Sequence, residues 1–73
     1  MANYIIRTIT VDEAARRLQA AGMKISGQRL RAGIIQGVYP WGEHVKMKMD
    51  EFLVYEKLFE KWMAERGEVA AEA

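Results

Sequence analysis

Residues 40–63 read PWGEHVKMKMDEFLVYEKLFEKWM, and two foldings compete for them. Phe52, Tyr55, Phe59 and Trp62 recur at spacings of three and four, which would draw one apolar stripe along a helix starting at Asp50. In the other folding, Val45, Met47 and Met49 alternate with His44, Lys46 and Lys48. That is the two-residue period of a half-buried strand, and FLVY is a second β-prone run. The contiguity of Phe52, Leu53, Val54 and Tyr55 favours strands, because a helix would send Leu53 and Val54 to opposite sides. A hairpin also pairs the amides of EHVKMKM, which would otherwise be unsatisfied. The expectation is therefore a hairpin with its turn at Asp50 and Glu51, burying Met47 and Met49 together with Phe52 and Val54. A helix should follow from Glu56, carrying Leu58, Phe59, Trp62 and Met63 on its inner face and closed by Gly67.

Upstream, the chain supplies two short helices. TVDE is a capping box in which Thr10 accepts from the amide of Glu13 and the Glu13 carboxylate reaches back, so a helix starts at Val11. Val11, Ala14, Ala15 and Leu18 keep helical spacing up to Gly22. After the connector MKI, Ser26 caps GQRLRAGIIQ, which closes at Gly37. Leu30 and Ile34 point to one side of this helix, whereas Gln28, Arg29, Ala32 and Gln36 spread over the other. Before the first helix, Tyr4–Ile9 forms a short β-prone run.

Seventy-three residues make one domain near the lower limit for unaided folding. The domain is expected over residues 1–66 with a frayed acidic tail over 67–73. No cysteine and a single histidine provide neither a disulfide framework nor a zinc ligand set, so no metal or cofactor is expected. No apolar run approaches the roughly 20 residues that span a bilayer, and MANYIIRTIT is too short and polar for a signal peptide. A cytoplasmic protein without membrane contact or small-molecule substrate is expected. The net charge of +1 hides an asymmetry: residues 1–46 hold seven Lys/Arg against three Asp/Glu, and residues 47–73 hold four against seven. A basic first part is the electrostatic footprint of a chain that meets phosphate. The glycines are scattered at helix ends and corners, not gathered in a phosphate loop, and the carboxylates lie along exposed faces, so catalysis is not expected.

A helix, a short connector and a second helix whose outer side carries Arg and Gln is the layout of a helix-turn-helix. The order VDEAARRL, SGQRLRAGIIQG, GVYPWG, an alternating hairpin and VYEKLFEKWM resembles the excisionase-like group of small winged helix-turn-helix proteins of phages and mobile elements, over roughly residues 9 to 66. The resemblance implies an α+β fold of three short helices with a two-stranded wing. It also implies no catalysis, the second helix in the major groove of double-stranded DNA, and the hairpin against the backbone or minor groove. Such a protein serves in DNA recombination, as a directionality factor, or in transcription regulation.

The residues expected to carry this follow from their chemistry. Arg29 and Arg31 can each fork onto guanine, and Gln28 or Gln36 can pair with adenine. Arg16 and Arg17 read either as phosphate clamps or as partners of Asp12 and Glu13 one helical turn away. With acidic residues expected at the turn, backbone contact falls to Lys46 and Lys48 on the strand, and His44 beside them is either a phosphate contact or an exposed side chain without a role. Tyr39 and Trp41 are expected to cap the core at the corner. One copy makes few phosphate contacts, so binding calls for cooperative neighbours or a second subunit docked through the Phe59 and Trp62 helix. A competing expectation is a protein-interaction module whose last helix binds a recombinase, polymerase or terminase.

Overall fold

The computed structural model describes residues 3–68. Its elements run β1 (Thr8–Ile9), α1 (Val11–Ala20), α2 (Gly27–Ile35), β2 (Gly42–Lys46), β3 (Asp50–Tyr55) and α3 (Glu56–Arg66). The chain is thus a small α+β domain with three helices and an antiparallel sheet, and residues 40–63 form a hairpin followed by a helix. Of the tail expected over 67–73, residues 69–73 lie outside the described residues.

The sheet has three strands, in the order β1-β3-β2: the two of the expected hairpin and, beside them, a short N-terminal strand from the β-prone run Tyr4–Ile9. Thr8 and Ile9 pair with Tyr55 and Val54, covering the last two residues of the β3 edge that β2 leaves free. The same tie continues one residue further, where the amide of Glu56 donates to the carbonyl of Arg7 at 3.0 Å.

Both early helices begin and end on the expected residues. Thr10 Oγ1 accepts from the Glu13 amide at 3.0 Å and Ser26 Oγ from the Arg29 amide at 3.2 Å, each satisfying a donor that the first helical turn leaves over. The Glu13 carboxylate does not complete the capping box; it is drawn instead to two arginines, described below. Gly22 and Gly37 take positive φ, 96° and 77°, the left-handed step that turns the chain out of each helix. Between them the Gln19 side chain donates to the Ile25 carbonyl at 2.7 Å, fixing the connector against the end of α1.

One cluster forms the core, with Leu30, Trp41, Val54 and Phe59 its largest fully buried side chains. Trp41 joins the layers. Its ring stacks on Tyr39 with centroids 5.0 Å apart and meets Phe59 and Trp62 edge-on at 4.9 and 5.7 Å, the offset and T-shaped geometries that the aromatic quadrupole favours. Its carbonyl accepts from the Tyr55 amide at 2.9 Å, so one residue ties the corner to the far strand and to α3. Phe59 and Trp62 of α3 are both buried in this core. Leu58 faces solvent, not the core, while Met63 packs at its margin.

The hairpin has the expected period but the opposite phase. Gly42 faces the core, where a side chain would come within 2.6 Å of Ile34. Alternation from that fixed point turns His44 inward and Val45 outward. Met47 and Met49, expected in the core, are 61% and 79% exposed. The register pairs Gly42 with Val54, His44 with Phe52 and Lys46 with Asp50, so the loop is Met47–Met49, and Asp50 and Glu51 lie in β3, not at the turn. Lys46 and Asp50 stand opposite each other at this last pair, a position where like charges would be unfavourable.

Gly33 offers a test of this packing, because the ring of Tyr39 lies where its side chain would be. Helix propensity alone makes Ala better than Gly by up to about 1 kcal/mol. Displacing Tyr39 from Trp41 should outweigh that gain. Gly33→Ala is expected to destabilise the fold by about 1–3 kcal/mol in urea unfolding, whereas a stabilised variant would mean that the Tyr39 contact is loose.

Candidate nucleic-acid interface

The outer surface of α2 is built by default. Leu30, Gly33 and Ile34 are buried, and at about 100° per residue the opposite side must hold Gln28, Arg29, Ala32, Ile35 and Gln36. All five are exposed. Ile35 was not among the expected site residues, although its helical angle, close to that of Gln28, placed it on this side. Two amide side chains, one guanidinium and two small or branched apolar groups form a surface able to offer donors, acceptors and methyl contacts side by side.

Arg31 departs from this group. It lies about 160° around the helix from Arg29, on the flank facing α1 and β3. Its Nη2 sits 3.3 Å from Asp12 Oδ1 and its guanidinium carbon 5.8 Å from the centre of the Phe52 ring. The pair is partly exposed, so it orients the guanidinium more than it stabilises the fold. Arg29 and Arg31 are therefore not a joint pair on one face, and Arg31 points toward the junction of helix and hairpin.

On the hairpin, Lys46 and Lys48 are both exposed, but Lys48 is in the loop and only Lys46 belongs to the strand. The acidic tip that moved the expected contact down the strand is absent: the tip reads Met47-Lys48-Met49. His44 is half-buried, on the same face of β2 as Lys46 but nearer the core. Its ring lies 5.0 Å from that of Phe52, and its Nε2 is 3.1 Å from Asp50 Oδ1. Nε2 nonetheless makes no hydrogen bond of acceptable direction. Lower on the ribbon the Tyr55 phenol is held above its ordinary pKa, first by its hydrogen bond to Glu43 and then by desolvation and the Glu43 charge. It remains a neutral donor.

The two arginines of α1 have different surroundings. Arg16 is well exposed and its Nη2 meets Glu13 Oε1 at 2.6 Å. Arg17 is enclosed by carboxylates, with Nε 3.0 Å from Glu13 Oε2 and Nη2 3.0 Å from Glu56 Oε2. The hydrogen bond to Glu13, followed by that to Glu56, raises its pKa against a smaller opposing effect of burial. Arg17 thus fastens α1 to the start of α3. Glu56 was not singled out in the sequence because its partner lies 39 positions away, beyond any local spacing rule.

Among the described residues no group of histidines and carboxylates is placed to hold a metal ion, and no helix is long and apolar enough to cross a membrane. Comparisons with protein-family models, curated proteins and solved structures return no match.

The unequal settings of the two arginines predict unequal losses. Arg17→Ala should lower the melting temperature measurably, and more so at low salt than at high, where exposed ion pairs are screened. Arg16→Ala should leave it within error. Equal effects from the two substitutions would remove Arg17 from its fastening role.

Proposed function

We propose that this chain is a winged helix-turn-helix protein that binds specific sites on double-stranded DNA. In this reading α1 and α2 are the helix-turn-helix, α2 lies in the major groove, and the β2–β3 hairpin is the wing. The observation that carries it is the surface of α2, where Gln28, Arg29 and Gln36 are exposed together with no carboxylate between them. Arg29 offers guanine its fork, Gln28 or Gln36 offers adenine a donor and an acceptor, and Ala32 and Ile35 suit the thymine methyl. Lys46 and Lys48 on the wing, with Arg16 on α1, supply phosphate contacts that position the protein. Arg31 contributes at the helix–wing junction, where Asp12 sets its direction.

The likeness to excisionase-type proteins noted in the sequence suggests work as an architectural factor in site-specific recombination, or as a phage-type regulator of transcription. Both jobs use the same contact with DNA, and neither requires chemistry from the protein. A second reading has an observation of its own. Tyr4, Ile5 and Ile6 are large, apolar and exposed, and Ile5 and Arg7 line a shallow surface with Glu56, Lys57 and Glu60 of α3. That surface, not the buried Phe59 and Trp62, would take a recombinase, polymerase or terminase.

Binding to duplex DNA across a salt series separates the two. With about five phosphates neutralised, a fourfold rise in salt should weaken binding roughly 500-fold. Arg29→Ala should then relax sequence preference at a cost of about 1–3 kcal/mol on the preferred site. The double change Lys46→Ala and Lys48→Ala should lower affinity evenly across sequences. A flat response to salt contradicts the DNA reading and favours a protein partner.

A further inference from the structure

We infer that the hairpin tip is a wedge, with Met47 and Met49 entering a stacked base step of duplex DNA from the minor groove and kinking it. The inference deepens the DNA reading above and rests on it. It starts from an apolar surface without use inside the fold: Met47 and Met49 are 61% and 79% exposed, with Val45 exposed behind them on the ribbon. Gly42 forces this outcome, because its contact with Ile34 sets which side of the ribbon faces the core. An exposed apolar hairpin tip favours unwanted association. A ligand that takes up the methionines removes that liability.

Charge on the same four residues indicates the occupant. Lys46 and Lys48 alternate with Met47 and Met49, giving each apolar side chain a neighbouring ammonium group. Asp50, the nearest acid, faces Lys46 across the ribbon and is approached by His44 Nε2 at 3.1 Å, while Glu51 lies further down, opposite Val45. The loop Met47–Lys48–Met49 thus carries a cation and no carboxylate, and Asp50 stands level with Lys46 at its base. Cations flanking a long, unbranched and polarisable side chain match a minor groove, where phosphates border an apolar stack on both sides. Methionine is among the side chains able to part a base step, and pyrimidine–purine steps part most readily.

Leverage comes from the root of the ribbon. Parting a step has an energetic cost, which a freely swinging hairpin would not transmit. Here the root is held by Trp41, whose carbonyl takes the Tyr55 amide at 2.9 Å, and by Gly42 against Ile34. With α2 seated in the adjacent major groove, the tip is pressed on the duplex from a fixed base.

The experiment begins by selecting bound duplexes from a random pool and labelling a recovered duplex of about 30 base pairs with a fluorophore pair at its ends. Wild-type protein should shorten the end-to-end distance as a kink of about 20–90° does. The double variant Met47→Ala and Met49→Ala, whose side chains lie outside the core, should keep its circular dichroism spectrum and bind about 10-fold more weakly. At saturation it should leave the duplex straight. The double variant Lys46→Ala and Lys48→Ala should need more protein but still kink the duplex at saturation. A kink that survives loss of both methionines overturns the wedge while leaving DNA binding intact, as does wild-type binding without a kink. Failure of the selection removes the DNA reading and the wedge together. Methionine-dependent binding to phosphatidylserine/phosphatidylcholine vesicles, without kinking of DNA, would assign the tip to a membrane surface.

Discussion

The packing of Trp41 governs the relation between the two parts of this molecule that face outward. Three aromatic rings meet around it: Tyr39 by stacking, and Phe59 and Trp62 by their edges. Trp41 sits just after the turn that leaves α2 and just before the first residue of β2, so the direction of the hairpin relative to that helix is decided at this ring. The indole N–H groups of Trp41 and Trp62 are buried and donate to no protein acceptor, a cost of about 1–3 kcal/mol each. Burial of ring area of order 150–250 Å² per aromatic side chain outweighs it. A small domain retains such a cluster when shape at the corner matters more than polar satisfaction.

Electrostatics divides along the same lines. Arg17, Glu13 and Glu56 form a closed group that holds α1 to α3, and Asp12 directs Arg31 across the face between α1 and the hairpin. Arg29, Lys46 and Lys48 have no ion-pair partner among the described residues, and they occur on the two elements that project from the core. The basic character of the first part of the chain is thus partly spent internally and partly displayed. In the proposed DNA reading, the displayed portion is the one that meets the phosphate backbone. Because α2 and the ribbon are joined through a rigid corner, a ligand touching both gains from an arrangement that needs little ordering on binding.

Much of the fold could be read along the chain because its signals are local. Thr10 and Ser26 mark helix starts and Gly22 and Gly37 mark ends through chemistry confined to four or five residues. The choice of hairpin over long helix also rested on a local conflict, the adjacency of Leu53 and Val54. What escaped was every feature set by a distant contact. The phase of β2 depends on Gly42 meeting Ile34, and with it went the burial of Met47 and Met49, the inward turn of His44 and the position of the loop. β1 was visible as a β-prone run, but its pairing with Tyr55 and Val54 spans more than forty residues. For the candidate site, Gln28, Arg29 and Gln36 were legible from helical angle alone. The same arithmetic already separated Arg31 from Arg29, whereas its partner Asp12 is 19 positions away.

Native-state hydrogen exchange on a Trp41→Phe variant probes the role assigned to this corner most directly. Phenylalanine keeps an aromatic ring but leaves part of the indole volume empty, so the chain should still fold with a smaller margin. If Trp41 couples the layers, amides of the second half of α2, of the β2–β3 ladder and of α3 will lose protection together and by similar amounts, with the Tyr55 amide among them. Loss confined to α3, with the ladder and α2 protected as in the wild type, would show that helix and hairpin are held by separate contacts and that their mutual orientation is not set at this ring.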